Sequence, residues 1–209
     1  MTNNLASFFF LISDSLLWPV MFGLALGLAL ALWQCGQTAR EGIERLRERK
    51  VRAKVEDALR RGALDDAQGA LDAQSRAPRS GSALATLAAL FSARDDAALL
   101  ENTVADAQNR GAERSTTLRA LMKLGPAFGL MGTLIPLGPA LVGLATGDLE
   151  TLAHNLMIAF STTVVGLAVS SLAYLAATFR KRWTTRDAIL TTFAATRLLD
   201  ALDAQREDA

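Results

Sequence analysis

Three long runs of apolar residues dominate the pattern of hydrophobic and polar positions along the chain. The first extends from Leu16 to Trp33 and reads LLWPVMFGLALGLALALW. A helix of about 18 residues, rising 1.5 Å per residue, is just long enough to cross the roughly 30 Å hydrocarbon core of a bilayer. The second and third runs are at least as long. The pattern therefore predicts an all-α membrane protein with transmembrane helices at residues 16–35, 124–146 and 156–179.

Basic residues next to these runs indicate their direction through the membrane. Lys and Arg crowd the segment from Arg40 to Lys54 after the first run, precede the second from Arg114 to Lys123, and close the third at residues 180–182. Because Lys and Arg accumulate on the cytoplasmic side of a span, all three runs agree on one orientation. We therefore expect a multi-pass protein of a bacterial or archaeal cytoplasmic membrane, with its N-terminus outside and its C-terminus in the cytoplasm.

The segments between the runs predict the rest of the organisation. Residues 1–15, with three consecutive Phe, are typical of an external interfacial segment. Residues 36–123 are rich in Ala, Leu, Arg, Glu and Gln and predict a cytoplasmic helical domain. An external hairpin at residues 147–155 and a cytoplasmic C-terminal helix at residues 180–209 complete the predicted topology.

Two helix limits are legible within the cytoplasmic domain. Apolar residues on one face continue the first transmembrane helix to Arg61, where Gly62 is suited to end it. Two aspartates introduce a long polar helix over residues 97–119, unless Gly111 breaks it. We therefore expect long helices that extend out of the membrane.

Candidate chemistry is limited by what the runs lack. Their central portions contain no Asp, Glu, Lys, Arg or His, so a proton path through them needs an ionisable group from a partner subunit. The chain has a single cysteine, Cys35, and no phosphate loop, metal-ligand cluster or nucleophile with a histidine in reach. These observations favour a protein that is not an enzyme and uses no cofactor and no metal. Beside a membrane span, the basic run indicates contact with the lipid bilayer and not with nucleic acid.

Hydroxyl side chains in the second and third runs form the candidate ion path. Small and hydroxylated residues recur at spacings of three and four along the third run, so they share one helical face. Close helix packing explains such a stripe by itself, and a polar lining for an ion path is the sharper interpretation. The candidate ion-path residues are Thr133, Ser161, Thr162, Thr163 and Ser170.

Glycines and prolines predict a distorted, closely packed second helix. Pro136 and Pro139 remove N–H groups that would meet the carbonyls of Gly132 and Ile135. The freed carbonyls need a hydroxyl, a water or a neighbouring chain. Simple kinks are the alternative explanation. The residues assigned to distortion or packing are Gly125, Gly129, Gly132, Pro136, Pro139 and Gly166.

Two motifs resemble those of a known family. The sequences GLMGTLIPLGPAL in the second run and AFSTTVVGLAV in the third resemble the signatures of the MotA/TolQ/ExbB proton channel family. The long insertion, the predicted orientation and the C-terminal helix resemble its TolQ/ExbB branch. The resemblance implies assembly as a ring. In this ring, the second and third spans of a homopentamer line a central pore around a dimer of a single-span MotB/TolR/ExbD-type partner, which supplies an aspartate.

The resemblance also implies roles for individual residues. The threonines of the two family motifs fall on Thr133 and Thr163, which are expected to face the pore. ExbB-like members have a glutamate where this chain has Ile158, so direct acid relay by this subunit is not expected. The implied function is that of a pore-forming stator subunit of a motor driven by ion-motive force, conducting protons or sodium ions at the partner interface to drive mechanical work. The alternative is a structural membrane scaffold that presents a helical cytoplasmic stalk.

Overall fold

The computed structural model describes residues 15–73, 82–113 and 116–207, with side chains for all of these except residues 111–113. The predicted interfacial segment at residues 1–15 therefore lies outside the described residues, apart from Ser15.

The described residues form six helices and contain no strand. The helices are α1 (Leu17–Arg61), α2 (Leu64–Asp72), α3 (Ala83–Ser92), α4 (Ala97–Glu113), α5 (Thr116–Thr146) and α6 (Leu149–Glu207). Three of them, α1, α5 and α6, are long and apolar enough to cross a membrane. The predicted fold class, an all-α membrane protein with three membrane-length helices and long helical extensions, is confirmed. Assembly as a ring stays a prediction.

The helices α1 and α6 are much longer than a membrane crossing requires. α1 has 45 residues and α6 has 59. At 1.5 Å per residue, their lengths are about 68 and 89 Å, against a hydrocarbon core of roughly 30 Å. Each therefore continues as a regular helix well beyond its apolar part.

A glycine ends α1 in a well-defined way. Gly62 has a φ angle of 75°, in the left-handed region that glycine tolerates best. Its N–H donates to the carbonyl of Leu59 at 3.2 Å, and the N–H of Ala63 donates to that of Ala58 at 3.0 Å. These two bonds form a Schellman motif. The first membrane-length helix thus ends immediately before this glycine, where the sequence predicts its end.

The long polar helix predicted over residues 97–119 corresponds to α4, which ends at Glu113. Gly111 lies inside α4 and does not break it. Residues 114–115 lie outside the described ranges, and α5 begins at Thr116.

The chain divides into two compact units, the first of which we call the membrane unit. It comprises Met1–Thr38 and Thr116–Thr178. Its described part has a core of small and aliphatic residues, namely Ala31, Leu118, Leu121, Val169, Ala173 and Ala176. Large apolar side chains lie on its surface, where Phe160 is 69% and Leu134 is 60% exposed. A unit that buries small residues and exposes large apolar ones suits a lipid environment.

The second unit, which we call the bundle unit, comprises Ala39–Ser115 and Phe179–Ala209. In it, α2, α3 and α4 pack with the later parts of α1 and α6 around a leucine-rich core. The largest fully buried side chains of this core are Leu59, Leu84, Leu87, Leu90 and Leu100. Such an interior is that of an ordinary water-exposed helical bundle.

Ion pairs join α1 and α6 within the bundle unit. Asp187 accepts hydrogen bonds from Arg45 and from Arg52, each at 2.6 Å. Arg45 also donates to Glu41 at 3.0 Å, and its guanidinium lies 5.1 Å from the centre of the Trp183 ring. Burial acts to lower the pKa of Arg45, but hydrogen bonds and charge from Asp187 and Glu41 outweigh it and raise that pKa. The arginine stays charged and ties the two helices together.

Candidate functional site

Glycines bring α5 and α6 into backbone contact in the membrane unit. The buried face of α5 repeats at spacings of three and four, and it consists of Gly125, Gly129, Gly132, Pro136, Ala140 and Gly143. A Cβ atom on Gly166 of α6 would lie 2.6 Å from the carbonyl oxygen of Gly125 and 2.8 Å from the Cα of Gly129. Both neighbours are backbone atoms, so no side chain fits there. Most residues assigned to packing therefore line this contact, while Pro139 is half-buried.

The turn between α5 and α6 is held by a glycine and a capping aspartate. Gly147 has a φ angle of 77°, and the N–H of Asp148 donates to the carbonyl of Gly143 at 2.8 Å. The Asp148 carboxylate accepts from the Thr151 hydroxyl at 2.6 Å and from its N–H at 3.0 Å. These bonds, the side-chain one first, lower the pKa of Asp148 below its usual value. The hairpin is therefore a defined turn that caps α6.

A proline in α5 explains the position of Ser170. Pro126 lacks an N–H, so the carbonyl of Met122 has no donor four residues further along the helix. The hydroxyl of Ser170, on α6, donates to that carbonyl at 3.1 Å. This candidate ion-path residue thus satisfies a backbone acceptor within the α5–α6 contact. Sequence reasoning missed the pairing, whose only signal is the four-residue offset between Met122 and Pro126.

Ser170→Ala is expected to destabilise the membrane unit by about 1–2 kcal/mol, because the half-buried carbonyl of Met122 loses its donor. Ser161→Ala is the matched control. Ser161 is exposed and donates at 2.8 Å to the carbonyl of Met157, which keeps its helical N–H donor. Chemical unfolding of both variants in detergent measures the difference. Equal stabilities would contradict the role assigned to Ser170.

The other candidate hydroxyls divide between the interior and the surface of the membrane unit. Thr162 is 5% exposed and packs on Gly132, where an added Cβ would lie 2.6 Å from the threonine hydroxyl. Thr133 and Thr163 are half-buried, and Ser161 is exposed. Thr162 therefore occupies a packing position in this chain, and its pore-lining role stays a prediction. The other three hydroxyl residues reach the surface of the unit.

The half-buried threonines present hydrogen-bond acceptors. Thr133 donates its hydroxyl proton to the carbonyl of Leu130 at 2.7 Å, and Thr163 donates to that of Ala159 at 3.2 Å. A hydroxyl that donates to its own helix keeps an oxygen lone pair with which to accept another hydrogen bond. The membrane-length parts of α5 and α6 contain no carboxylate, amine or imidazole. This surface therefore suits an incoming proton donor, such as water or a protonated carboxyl group.

Comparison with known proteins concerns the same part of the chain. Residues 91–191 match the model of the MotA/TolQ/ExbB proton channel family, and this stretch contains every candidate hydroxyl and glycine of the site. The family is one of proton channels and not of enzymes. The match does not separate the branches of the family, so the TolQ/ExbB-like branch stays a prediction. No curated protein gives a significant sequence match to the chain.

Proposed function

Because this chain belongs to the MotA/TolQ/ExbB proton channel family through residues 91–191, we propose that it is the pore-forming stator subunit of a motor driven by ion-motive force. The motor conducts protons, or sodium ions in a sodium-using variant of the same design, and converts their flow into mechanical work. The family assignment rests on the matched stretch, and the motor function is the proposal.

The proposed assembly is a homopentameric ring in a cytoplasmic membrane. The ring surrounds a dimer of a single-span MotB/TolR/ExbD-type protein, and the apolar parts of α5 and α6 face the central pore. The N-terminus and the hairpin at residues 147–155 lie outside the cell. Residues 36–123 and 180–209 lie in the cytoplasm. The positive-inside distribution of Lys and Arg supports this orientation.

The proposed ion path runs between the threonines of this chain and an aspartate of the partner. A protonated carboxyl group is neutral and carries an O–H donor, so it moves along a charge-free surface while donating to the hydroxyl oxygens of Thr133 and Thr163. An ionised carboxylate is disfavoured there by the low dielectric, so the proton leaves only where water reaches the carboxylate. Each elementary charge crossing 100 mV releases about 2.3 kcal/mol, roughly four times thermal energy.

One observation carries this proposal: Thr133 and Thr163 reach the surface of the charge-free apolar parts of α5 and α6, and each donates its proton to a carbonyl of its own helix. Their oxygens are then acceptors without a competing fixed charge. A structural membrane scaffold is the second candidate, and the glycine contact between α5 and α6 is what favours it. A scaffold needs that contact but has no use for hydroxyl acceptors at the surface of the unit.

Ion flux into vesicles tests the proposal. The full chain is co-reconstituted with a single-span, aspartate-bearing protein of the MotB/TolR/ExbD type, and dyes sensitive to pH and to Na⁺ report ion entry under an imposed potential. We expect flux that needs both proteins and that stops when the partner's aspartate is changed to Asn. Flux that persists in K⁺ alone identifies protons, and flux that requires Na⁺ identifies sodium. A complex that assembles but conducts neither ion would contradict the motor and support the scaffold.

A further inference from the structure

Acidic and basic side chains are sorted between interior and surface in one zone of the bundle unit. The zone comprises residues 39–54 of α1 and 179–187 of α6, all of which the structure describes. Each of its acids is half-buried: Glu41, Glu44, Glu48 and Asp187. Each of its Lys and Arg residues is exposed, except Arg45, Arg52 and Arg180. The fully exposed charges of this zone are therefore all positive, and one of the half-buried acids, Glu44, pairs with Arg40 at 3.7 Å.

Ion pairs turn the acids of this zone inward. The Asp187 side chain, between Arg45 and Arg52, is only 16% exposed. Glu41 pairs with Arg45 at 3.0 Å and lies 3.8 Å from Arg180. The arginines that are not exposed thus neutralise carboxylates that would otherwise repel an anion at the surface.

Glu48 is half-buried as well. Burial, and then the charge of Glu44, raise the pKa of Glu48, although Arg45 and Arg52 act in the opposite direction. Its side chain is therefore less accessible to an approaching anion than the exposed Lys and Arg side chains of the zone.

Three exposed cations on α6 form what we call the basic patch: Lys181, Arg182 and Arg186. Among the described residues, no carboxylate lies within ion-pair distance of these three. Phe179, which is 50% exposed, precedes Arg182 by three residues and Arg186 by seven, so Phe179, Arg182 and Arg186 share a helical face. Lys181 lies about 100° around the helix from Arg182. The patch therefore combines unpaired positive charge with an exposed aromatic ring.

The position of the patch along α6 indicates its partner. Phe179 is the last residue of the third apolar run, and the helix advances only about 10 Å from there to Arg186. The headgroup layer of one leaflet is about 5–8 Å thick, and the long Lys and Arg side chains extend their reach. An aromatic residue at the end of an apolar run, followed at once by cations, is typical of the membrane–water interface.

We propose that the basic patch binds the phosphate headgroups of anionic phospholipids and enriches these lipids around α6 in one leaflet. The bilayer is the anionic surface that this stretch of helix meets first. A leaflet accepts the Phe179 ring at its apolar boundary and meets the cations with its headgroups just beyond it. The inference depends on membrane insertion and is independent of the proposed motor function.

Lipid selectivity of the full chain, reconstituted without any partner, tests the inference. Electron paramagnetic resonance of spin-labelled phosphatidylglycerol and phosphatidylcholine gives their relative association constants with the protein in phosphatidylcholine vesicles. For K181Q/R182Q/R186Q we expect the preference for phosphatidylglycerol to fall about fivefold, the loss of one close Lys or Arg contact per headgroup. The altered side chains are exposed, so the helical circular dichroism should not change.

A variant with the same change in net charge is the matched control. R61Q/R197Q/R206Q removes three exposed cations that lie far from the patch along the helices. Arg197 and Arg206 follow Arg186 by 11 and 20 residues of α6, about 16 and 30 Å, and Arg61 is the last residue of α1, 16 residues after Arg45. Screening over about 8 Å weakens their effect on headgroups at the patch. Its lipid preference is expected to equal that of the wild type. An equal fall in both variants, or no fall in either, would overturn the inference. Binding of a duplex oligonucleotide that is lost only in the patch variant, with lipid preference unchanged, would also overturn it.

Discussion

Gly166→Ala is expected to force α5 and α6 apart and to destabilise the membrane unit by about 3 kcal/mol. The new Cβ would lie 2.6 Å from the carbonyl oxygen of Gly125 and 2.8 Å from the Cα of Gly129. Because both atoms belong to the backbone, no side chain rotates away, and the movement of a helix costs about 1–3 kcal/mol. The movement also stretches the hydrogen bond from Ser170 to Met122, which adds about 1 kcal/mol.

Gly36→Ala is the matched control for this change. Gly36 lies in α1, and no atom lies within 4 Å of a Cβ added there. The same substitution therefore gains helix propensity without a clash, and its stability should be unchanged or higher by up to about 1 kcal/mol. Unfolding in detergent, followed by circular dichroism, measures both variants. If Gly166→Ala proved as stable as Gly36→Ala, the close backbone contact between α5 and α6 would be wrong.

Hydropathy and charge predict the long helices because those signals are local. Each apolar run is continuous over a membrane length, and the patterns that extend or end a helix lie within a few residues of one another. Gly62 illustrates this: it directly follows a periodic apolar face, and it adopts the left-handed conformation that ends α1. The three membrane-length helices and the all-α class follow from such signals alone.

The orientation of neighbouring hydroxyls is not a local property. Thr162 and Thr163 are adjacent, so they point about 100° apart around α6, and the sequence alone treats them alike. The glycines of α5 decide between them. Gly132 leaves room for the Thr162 side chain in the helix contact. Thr163 approaches Gly129 only with its backbone, since its Cα would lie 3.6 Å from a Cβ added there, and its side chain stays half-buried. Only the register between two helices distinguishes a packing hydroxyl from a surface one.

The same limit applies to pairings across the fold. Pro126 predicts that the carbonyl of Met122 lacks a helical N–H donor. The donor that replaces it, Ser170, lies on another helix, 48 residues away in sequence, and no local rule identifies it. The basic run after the first span is equally visible in the sequence, while the inward turn of Asp187 between two arginines is not. Residue types are therefore predictable here, and their partners require the packed helices.

Thr133→Val combined with Thr163→Val is expected to reduce ion flux at least tenfold while the chain stays folded. Valine has nearly the shape of threonine, and the carbonyls that these hydroxyls meet keep their helical N–H donors, so stability should change by less than about 1 kcal/mol. What is lost is an acceptor for the partner's protonated carboxyl group. A hydrogen bond between neutral groups is worth about 1 kcal/mol, so the loss of two, about 2 kcal/mol, corresponds to roughly a thirtyfold change in rate.

Thr178→Val separates this effect from a general loss of hydroxyls. Thr178 is exposed on α6 and donates to the carbonyl of Tyr174 at 2.8 Å, the same local bond that Thr163 makes to Ala159. It lies outside the two family motifs, so the proposed ion path does not use it. Vesicles that contain the chain and its single-span partner should therefore conduct normally with Thr178→Val and poorly with the double variant. If the double variant conducted as well as the wild type, the role assigned to Thr133 and Thr163 would be wrong, although the proposed ion conduction by the complex would stand.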